Sequence, residues 1–387
     1  MYYNIFAERD ATIYEKYPEQ NTGIDQILEL TKIASGSIFD GFYQSNTYNS
    51  RILIDFGSQI SEISNSIDQG EIPTISEGTR FYLNLRATNA ESLPISYSLM
   101  AYPVSESWVN GTGNFDDVPI AKNGVSWRYR DGSAGDASPL TSTFWNTASA
   151  QGQNTGQTEI KGGGTYITAS HASQAFNYES PDIRMDVTDI VERWITGSVD
   201  NGKITNYGFI LKRPYEDEKS AKVFGELQFF GTNTNTIYVP RLEVAWSDSN
   251  VYNPALQNEV SAEDNSMVVY FKNLQEKYKE ASNTQLRLNA RPKYPTKTYS
   301  TASFYQTPFY LPTSSYYAIK DATTEETIID FNTTYTKISS DANGNYFNFR
   351  MNGLLPERTY RILIKTEKSG SELTQIHDNG YYFRVVR

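Results

Sequence analysis

The chain has 387 residues, a formal net charge of −11 and no cysteine, which excludes disulfides, thiolate nucleophiles and cysteine-zinc sites. Charges of both signs are interspersed without the basic runs that bind phosphate, so we expect no nucleic-acid partner. No window approaches the ~20 apolar residues needed to cross a bilayer, so we expect no membrane partner. The first residues do not resemble a signal peptide, from which we expect folding in a cytosol.

Aromatic and turn residues predict a chain built from strands. The sequence contains 29 Tyr and 19 Phe, together with repeated Asn-Gly pairs that favour tight hairpins. The predicted strands, in chain order, are residues 2–15, 26–33, 51–56, 80–86, 95–104, 206–211, 227–230, 241–246, 267–271, 285–288, 346–351 and 381–386. Residues 60–67 fit one or two helical turns. We therefore predict an all-β fold, at a length that favours two domains.

One segment in the first two thirds of the chain has a clear helical pattern. Its apolar positions, spaced i, i+3, i+4 and i+7, are Val187, Ile190, Val191 and Trp194. Asp186 stands before them as a cap for the first turn, and Gly197 stands after them as a left-handed C-terminal cap. We therefore predict one short helix, with Asp186, Trp194 and Gly197 as its structural residues.

Residues 105–180 form a long excursion rich in Gly, Ser, Asn and Thr. Irregular segments of this length are usually functional or interfacial. Trp108, Trp127 and Trp145 are its candidate contact-surface residues. Two interpretations are open: the tryptophans pin loops onto the end of a sandwich, which burial favours, or they form an exposed platform for a ligand.

A series of short motifs runs through the N-terminal part of the chain. The motifs are Glu8-Arg9-Asp10-Ala11-Thr12-Ile13, Asn21-Thr22-Gly23, the strand 51–56, Ser107-Trp108, Val125-Ser126-Trp127, and the helix 186–197 followed by Asn206-Tyr207-Gly208. Their order and spacing over residues 5–247 resemble the DNRLRE-type β-sandwich domains, which are grouped among carbohydrate-binding modules. The resemblance implies a jelly-roll-like β-sandwich and, less directly because sandwich folds host many functions, carbohydrate binding.

A polar segment ending in proline, residues 247–254, predicts the boundary between domains 1–249 and 250–387. In the second domain, residues 353–362 include Leu355-Pro356-Glu357-Arg358-Thr359-Tyr360, which resembles the corner of fibronectin type III domains. The resemblance implies a smaller immunoglobulin-like β-sandwich. It also implies that the Tyr360 hydroxyl bonds back to nearby backbone.

The sequence offers few groups for catalysis. Its only two histidines, His171 and His377, fall in different predicted domains. The run Gly162-Gly163-Gly164 lacks the Lys-Ser/Thr of a phosphate-binding loop, and residues 131–136 depart from the calcium-loop pattern, so both are interpreted as turns. Paired carboxylates for glycoside hydrolysis could come from distant strands, but nothing selects a pair. We therefore predict no catalytic residue, metal site or cofactor, and a protein that is not an enzyme.

Function is left to two hypotheses, since a hydrolase would need a catalytic cluster that the sequence does not present. The first is a structural component of a virus particle, namely a neck, tail or head-decoration protein of a tailed bacteriophage. It would contact other virion proteins in a homo-oligomeric ring or another multi-copy assembly, built in the host cytoplasm and located in the virion. The alternative is a carbohydrate-binding or adhesive module that recognises a surface glycan.

Overall fold

The computed structural model describes residues 1–39, 42–132, 143–145, 162–178, 180–196, 202–252, 267–294, 308–367 and 374–387. The chain divides into two units. The larger unit comprises Ile5–Ile75 and Arg80–Glu243, and the smaller unit comprises Met1–Asn4, Ser76–Thr79 and Val244–Arg387. The predicted boundary after residue 249 therefore lies a few residues inside the smaller unit.

Strands up to residue 245 form two main sheets. The strands are β1 (Tyr2–Phe6), β2 (Arg9–Tyr14), β3 (Ile27–Phe39), β4 (Phe42–Asp55), β5 (Arg80–Leu85), β6 (Ala87–Glu91), β7 (Ser96–Pro103), β8 (Tyr129–Asp131), β9 (Thr143–Phe144), β10 (Ala172–Asn177), β11 (Ile183–Asp186), β12 (Phe209–Lys212), β13 (Gly225–Phe230) and β14 (Arg241–Ala245). One sheet, curled into a half-barrel, takes the order β10-β7-β12-β4-β3-β13-β6, with β2 also paired to β4. The other takes the order β1-β14-β5-β11, and the division between the units falls within β1 and β14. β8 and β9 form a separate ribbon.

Burial along these strands follows from their position in the sheets. In β5, Phe81, Leu83 and Leu85 are buried and alternate with less buried residues, as expected when one face of a strand covers a core. All four residues of β12 are buried, because β12 lies between β7 and β4 in the curled sheet. The prediction of an all-β sandwich is confirmed by this arrangement.

Three α-helices occur among the described residues, not the single helix that was predicted. They are α1 (Gln59–Asp68), α2 (Thr188–Ile195) and α3 (Tyr215–Lys219), and two 3-10 turns cover Ile75–Glu77 and Met351–Gly353. The isoleucine spacing of residues 60–67 produced a helix of ten residues, with Ile60 and Ile63 buried. The five residues of α3 were not predicted, because four of them are charged and show no apolar stripe.

Helix α2 buries the predicted apolar stripe. The Trp194 ring packs against the Phe209 ring at a centroid distance of 4.6 Å. Asp186 is the last residue of β11, and its Oδ1 accepts hydrogen bonds from the Thr188 N–H at 3.0 Å and the Thr188 hydroxyl at 2.6 Å. Thr188 is also buried, and its hydroxyl oxygen accepts a hydrogen bond from the Phe81 N–H at 3.0 Å. Gly197 lies outside the described residues.

The smaller unit is a sandwich of two sheets. Its remaining strands are β15 (Met267–Phe271), β16 (Lys277–Lys279), β17 (Asn283–Pro292), β18 (Ser315–Asp321), β19 (Thr327–Ile329), β20 (Ser339–Asp341), β21 (Gly344–Arg350), β22 (Thr359–Glu367) and β23 (Thr374–Val386). The sheet orders are β15-β17-β21-β20 and β16-β23-β22-β18-β19. Aromatic rings join the two sheets, since Tyr317 stacks on Phe347 at a centroid distance of 4.1 Å.

Tyr360 is the second residue of strand β22, which follows the predicted corner. Its side chain is buried, and its hydroxyl donates to the Leu355 carbonyl oxygen at 2.8 Å. This is the backward hydrogen bond that the corner motif implies.

Candidate functional site

The three predicted contact tryptophans lie in the core, contrary to the prediction of a contact surface. Trp108, Trp127 and Trp145 are 2%, 4% and 3% exposed. The other buried members of their apolar cluster are Ala11, Ile13, Leu53, Val104, Val125, Tyr166 and Ile210. The structure therefore supports the other interpretation, in which these side chains pin loops onto the sandwich.

Polar contacts hold the tryptophans in place. The Trp108 Nε1 donates to the Tyr207 carbonyl oxygen at 2.9 Å, and the Trp145 Nε1 donates to the Ser126 carbonyl oxygen at 3.0 Å. Two cations also lie on indole faces, Arg9 at 4.5 Å from the Trp108 ring centroid and Arg51 at 4.9 Å from the Trp127 ring centroid. Since Arg9 belongs to β2 and Arg51 to β4, the loops that carry the indoles are anchored to the curled sheet.

The run Gly162-Gly163-Gly164 packs closely on Trp127. The Gly163 N–H donates to the Trp127 carbonyl oxygen at 2.6 Å, and a Cβ atom at Gly162 would lie 2.1 Å from that same oxygen. The φ angles of Gly163 and Gly164 are +85° and +80°, in the left-handed region that favours glycine. The run is thus a turn whose glycines are required by close backbone approach.

A buried ionic cluster lies beside Trp127. Glu218 in α3 accepts hydrogen bonds from Arg51 Nε at 3.0 Å and Arg51 Nη2 at 2.8 Å, and its Oε2 lies 2.8 Å from Lys212 Nζ. The side chains of Glu218, Arg51 and Lys212 are 5%, 8% and 1% exposed. Arg51 also donates to the Gly163 carbonyl oxygen. One carboxylate therefore ties α3 to β4 and β12.

Burial and charge act in opposite directions on this cluster. Burial raises the pKa of Glu218, but the positive charges of Arg51 and Lys212 outweigh it and hold that pKa below its ordinary value. Burial lowers the pKa of Lys212 to about 8, against the attraction of Glu218. All three groups are therefore charged at neutral pH, and their charges and hydrogen bonds are directed at one another. The cluster has a structural role.

The Asn21 side chain clamps two loop segments together. Its Nδ2 donates to the carbonyl oxygens of Asn110 and Val125, both at 2.7 Å, and its Oδ1 accepts from the Gly113 N–H at 2.8 Å. Asn21 is fully buried. At Gly23 a Cβ atom would lie 2.1 Å from the Asn110 carbonyl oxygen, so a larger residue does not fit there. The Asn21-Thr22-Gly23 motif therefore fixes residues 110–125 against residues 14–25.

Six large apolar side chains in or next to these two segments are exposed to solvent. They are Tyr17, Ile24, Val109, Phe115, Val118 and Ile120, and we name them the loop patch. Val118 is 95% exposed. The rings of Tyr17 and Phe115 meet at a centroid distance of 5.7 Å, so both segments contribute to one surface. Exposed apolar side chains that meet in this way are typical of an interaction site.

Carboxylates border the loop patch. Asp25 Oδ1 accepts from the Phe115 N–H at 3.0 Å, and Asp117 Oδ2 accepts from the Asn114 N–H at 2.8 Å. Burial, reinforced by the neighbouring carboxylates, raises the pKa of Asp25 to about 6. An apolar centre with an acidic border favours a partner whose surface is apolar with basic residues around it.

Sequence reasoning missed the loop patch and Glu218. A signal for the patch existed in Phe115-Asp116-Asp117-Val118-Pro119-Ile120, where large apolar residues stand outside any strand pattern. Trp108, Trp127 and Trp145 were predicted as the contact residues instead, because tryptophan is enriched at contact sites.

The histidines lie apart from the loop patch. His171 is exposed beside the Tyr102 ring in the larger unit. His377 is buried in the smaller unit, where burial lowers its pKa and its Nε2 lies 3.2 Å from the Thr366 hydroxyl oxygen. Within the described ranges, no group of three or more His, Cys, Asp or Glu side chains is placed to hold a metal ion. Residues 133–136 of the predicted acidic turn fall outside those ranges.

None of the helices in the described part of the chain has the length and apolarity needed to cross a membrane. No known protein family, curated protein or solved structure matches the chain. The two family resemblances therefore stay predictions, and the functional argument depends on the geometry of the loop patch.

Proposed function

We propose that the chain is a non-enzymatic structural component of a virus particle, a neck, tail or head-decoration protein of a tailed bacteriophage that acts through protein–protein contacts. The observation that carries the proposal is the loop patch, an exposed apolar surface on segments clamped by Asn21. Segments that are already ordered lose little conformational entropy on binding, so their apolar surface favours association.

The assignment to a virus particle depends on the sequence. A cysteine-free chain needs no disulfides and is suited to folding and assembly in a reducing cytosol. The net charge of −11 keeps free chains soluble, whereas the apolar patch provides a specific contact. We expect the patch to meet a different virion protein that carries basic residues opposite Asp116 and Asp117.

The carbohydrate-binding alternative is less favoured because Trp108, Trp127 and Trp145 are buried. A sugar platform needs aromatic faces open to solvent. In the loop patch, Tyr17 and Phe115 meet edge to face with an interplanar angle of 77°, so their rings do not form one flat platform. In the experiment described below, glycan binding is therefore a result that would count against the proposal.

Mass spectrometry of purified particles from the source tests the proposal, and we expect the chain at a fixed stoichiometry. Val118→Asp should reduce incorporation, because it introduces a charge into the loop patch at a side chain that is 95% exposed. Val223→Asp makes the same change at a side chain that is 48% exposed and outside the patch, and it should incorporate normally.

Two results would overturn the proposal. One is absence of the chain from particles combined with turnover of a polysaccharide by the purified chain, which would indicate an enzyme. The other is specific binding of the chain to a surface glycan together with normal incorporation of Val118→Asp. The first would remove the virion assignment, and the second would remove the role of the loop patch.

A further inference from the structure

Lys32, Asn49 and Glu15 form a row across three neighbouring segments of the curled sheet. Lys32 in β3 lies directly opposite Asn49 in β4. Glu15 follows the last residue of β2, and its N–H donates to the Asn49 carbonyl oxygen at 3.0 Å. Directly opposite residues of an antiparallel pair have neighbouring side chains on one face of the sheet. The row therefore brings an amine, an amide and a carboxylate together.

The end of helix α3 lies over this row. Lys32 Nζ donates to the Glu218 carbonyl oxygen at 2.8 Å, and Asn49 Nδ2 lies 3.5 Å from that same oxygen. The amine and the amide nitrogen therefore share an acceptor. Asn49 Nδ2 also donates to Glu15 Oε2 at 2.8 Å. Asn49 Oδ1 is buried and has no hydrogen-bond partner among the described residues, so the contacts of the nitrogen orient the amide.

Lys32 is a buried lysine without a carboxylate in contact with it. Its side chain is fully buried, and its Nζ donates to the carbonyl oxygens of Asp217, Glu218 and Ser220 and to the Ser220 hydroxyl. Burial lowers the pKa of Lys32, against the attraction of Glu218 and Glu15, and so favours the neutral amine. A neutral amine can donate two hydrogen bonds and still keep a lone pair. Desolvated lysines of this kind act as nucleophiles.

We infer that Lys32 Nζ and Asn49 Cγ join in an intramolecular amide bond with release of one ammonia. The Nζ lone pair attacks Asn49 Cγ, and the bond between Cγ and Nδ2 breaks. Nζ gives up one proton, and the Glu15 carboxylate, in contact with Nδ2, supplies one to that leaving nitrogen. One amide replaces another, so the step needs no oxidant, reductant or further reactant. The inference goes beyond the proposed function and does not depend on it.

The position of the three groups favours this reaction. Reacting groups held beside each other in a fold behave as an intramolecular pair, which removes most of the entropic barrier to their encounter. The product would tie β3 to β4 covalently and close the chain between residues 32 and 49. A link of this kind stabilises a fold by restricting the unfolded chain.

Intact-mass spectrometry of the purified full chain, after incubation at neutral pH, tests the inference. The wild-type chain should be lighter than its sequence mass by one ammonia. Lys32→Met and Asn49→Ala should each keep their full sequence mass, because one lacks the nucleophile and the other the amide. Glu15→Gln should also keep its full mass, since it preserves the shape of the side chain but cannot carry the proton.

Lys272→Met is the matched control. Lys272 is an exposed lysine that also lies beside an asparagine, with its Nζ 3.4 Å from the Asn343 carbonyl oxygen. This variant should lose one ammonia as the wild type does.

Peptide mapping locates the bond. Lys32 is the only trypsin site within residues 17–51, and a lysine in an amide bond is not cleaved, so trypsin should leave residues 17–51 as one peptide that is lighter by one ammonia. A second cut after Asp40 should leave the two halves joined. Loss of ammonia by cyclisation of an asparagine elsewhere would give neither result.

Three results would overturn the inference. The wild-type chain could keep its full sequence mass, which would leave Lys32 as a cap for the end of α3. Lys32→Met could lose the ammonia as well, or Glu15→Gln could lose it as fast as the wild type, which would refute the step as written. Absence of the chain from virus particles, with the bond present, would contradict the proposed function alone.

Discussion

Replacement of Glu218 by Gln should strongly destabilise the larger unit. The change leaves Arg51 and Lys212, 8% and 1% exposed, without their counter-charge. Removal of one partner from a buried ion pair costs about 3–5 kcal/mol, because the remaining charge stays desolvated. The Gln side chain keeps one acceptor oxygen for Arg51, so we expect a loss of about 3 kcal/mol.

Urea unfolding followed by tryptophan fluorescence measures this loss. Of the five tryptophans, the four in the larger unit are Trp108, Trp127, Trp145 and Trp194. The signal therefore reports mainly on that unit. With a slope of about 3 kcal/mol per molar urea, a loss of about 3 kcal/mol lowers the midpoint by about 1 M.

Glu19→Gln is the matched control, because Glu19 also bridges an arginine and a lysine. Its carboxylate lies 2.6 Å from Arg128 and 3.0 Å from Lys122, whose side chains are 43% and 36% exposed. Exposed pairs of this kind contribute at most about 1 kcal/mol, so the midpoint should move little. Equal midpoints for the two variants would refute the argument that burial makes the Glu218 charge matter.

The pH dependence gives a second check on Glu218. Its folded-state pKa lies below the ordinary value of 4.5, so its contribution to stability is present above pH 4.5 and is lost as the pH falls. The difference in unfolding free energy between wild type and Glu218→Gln should therefore shrink below pH 4.5. A difference that stays constant down to strong acid would contradict the ion-pair assignment.

Three further changes test the structural residues. Trp194→Ala should cost about 3–5 kcal/mol by emptying a large aromatic site beside Phe209, and an unchanged melting temperature would contradict it. Tyr360→Phe should cost about 1 kcal/mol because the Leu355 carbonyl loses its donor, which hydrogen exchange of the smaller unit would detect; unchanged exchange would argue against the corner. Burial raises the pKa of Asp10 from 3.8 to about 6, so its contribution to stability is present below pH 3.8 and is lost as the pH rises to about 6. Asp10→Asn should remove this pH dependence, which changes the unfolding free energy by about 3 kcal/mol at most. Unfolding curves measured between pH 3 and pH 7 test this, and an unchanged pH dependence in the variant would show that another group causes it.

The strands and the helix α2 could be predicted because their signals are local. Phe81, Leu83 and Leu85 alternate along β5 as the sequence indicates, and Ile190, Val191 and Trp194 face inward on α2. Periods of two and 3.6 residues are properties of the backbone, so a few consecutive residues reveal them.

The burial of the tryptophans could not be decided from the sequence, since their covering groups come from distant parts of the chain. Trp127 lies against Gly163 from a later loop and Arg51 from an earlier strand. A tryptophan in an irregular segment has the same local surroundings whether it is buried or exposed. Only the long-range pairing of segments distinguishes a pinning residue from a ligand platform.

The buried ionic cluster of Glu218, Arg51 and Lys212 could be predicted from the sequence only in part. Lys32, Arg51 and Lys212 each stand within or at the end of an apolar strand, which indicates cations close to a core. A buried cation needs a counter-charge or several hydrogen bonds, so the need for partners could have been stated in advance. Which acidic residue would be the partner could not be predicted, because the chain has 45 acidic residues. In addition, Tyr215-Glu216-Asp217-Glu218-Lys219 has the composition of a solvated turn. Glu218 is selected by the position of α3 beside β4 and β12, which is set by tertiary structure alone.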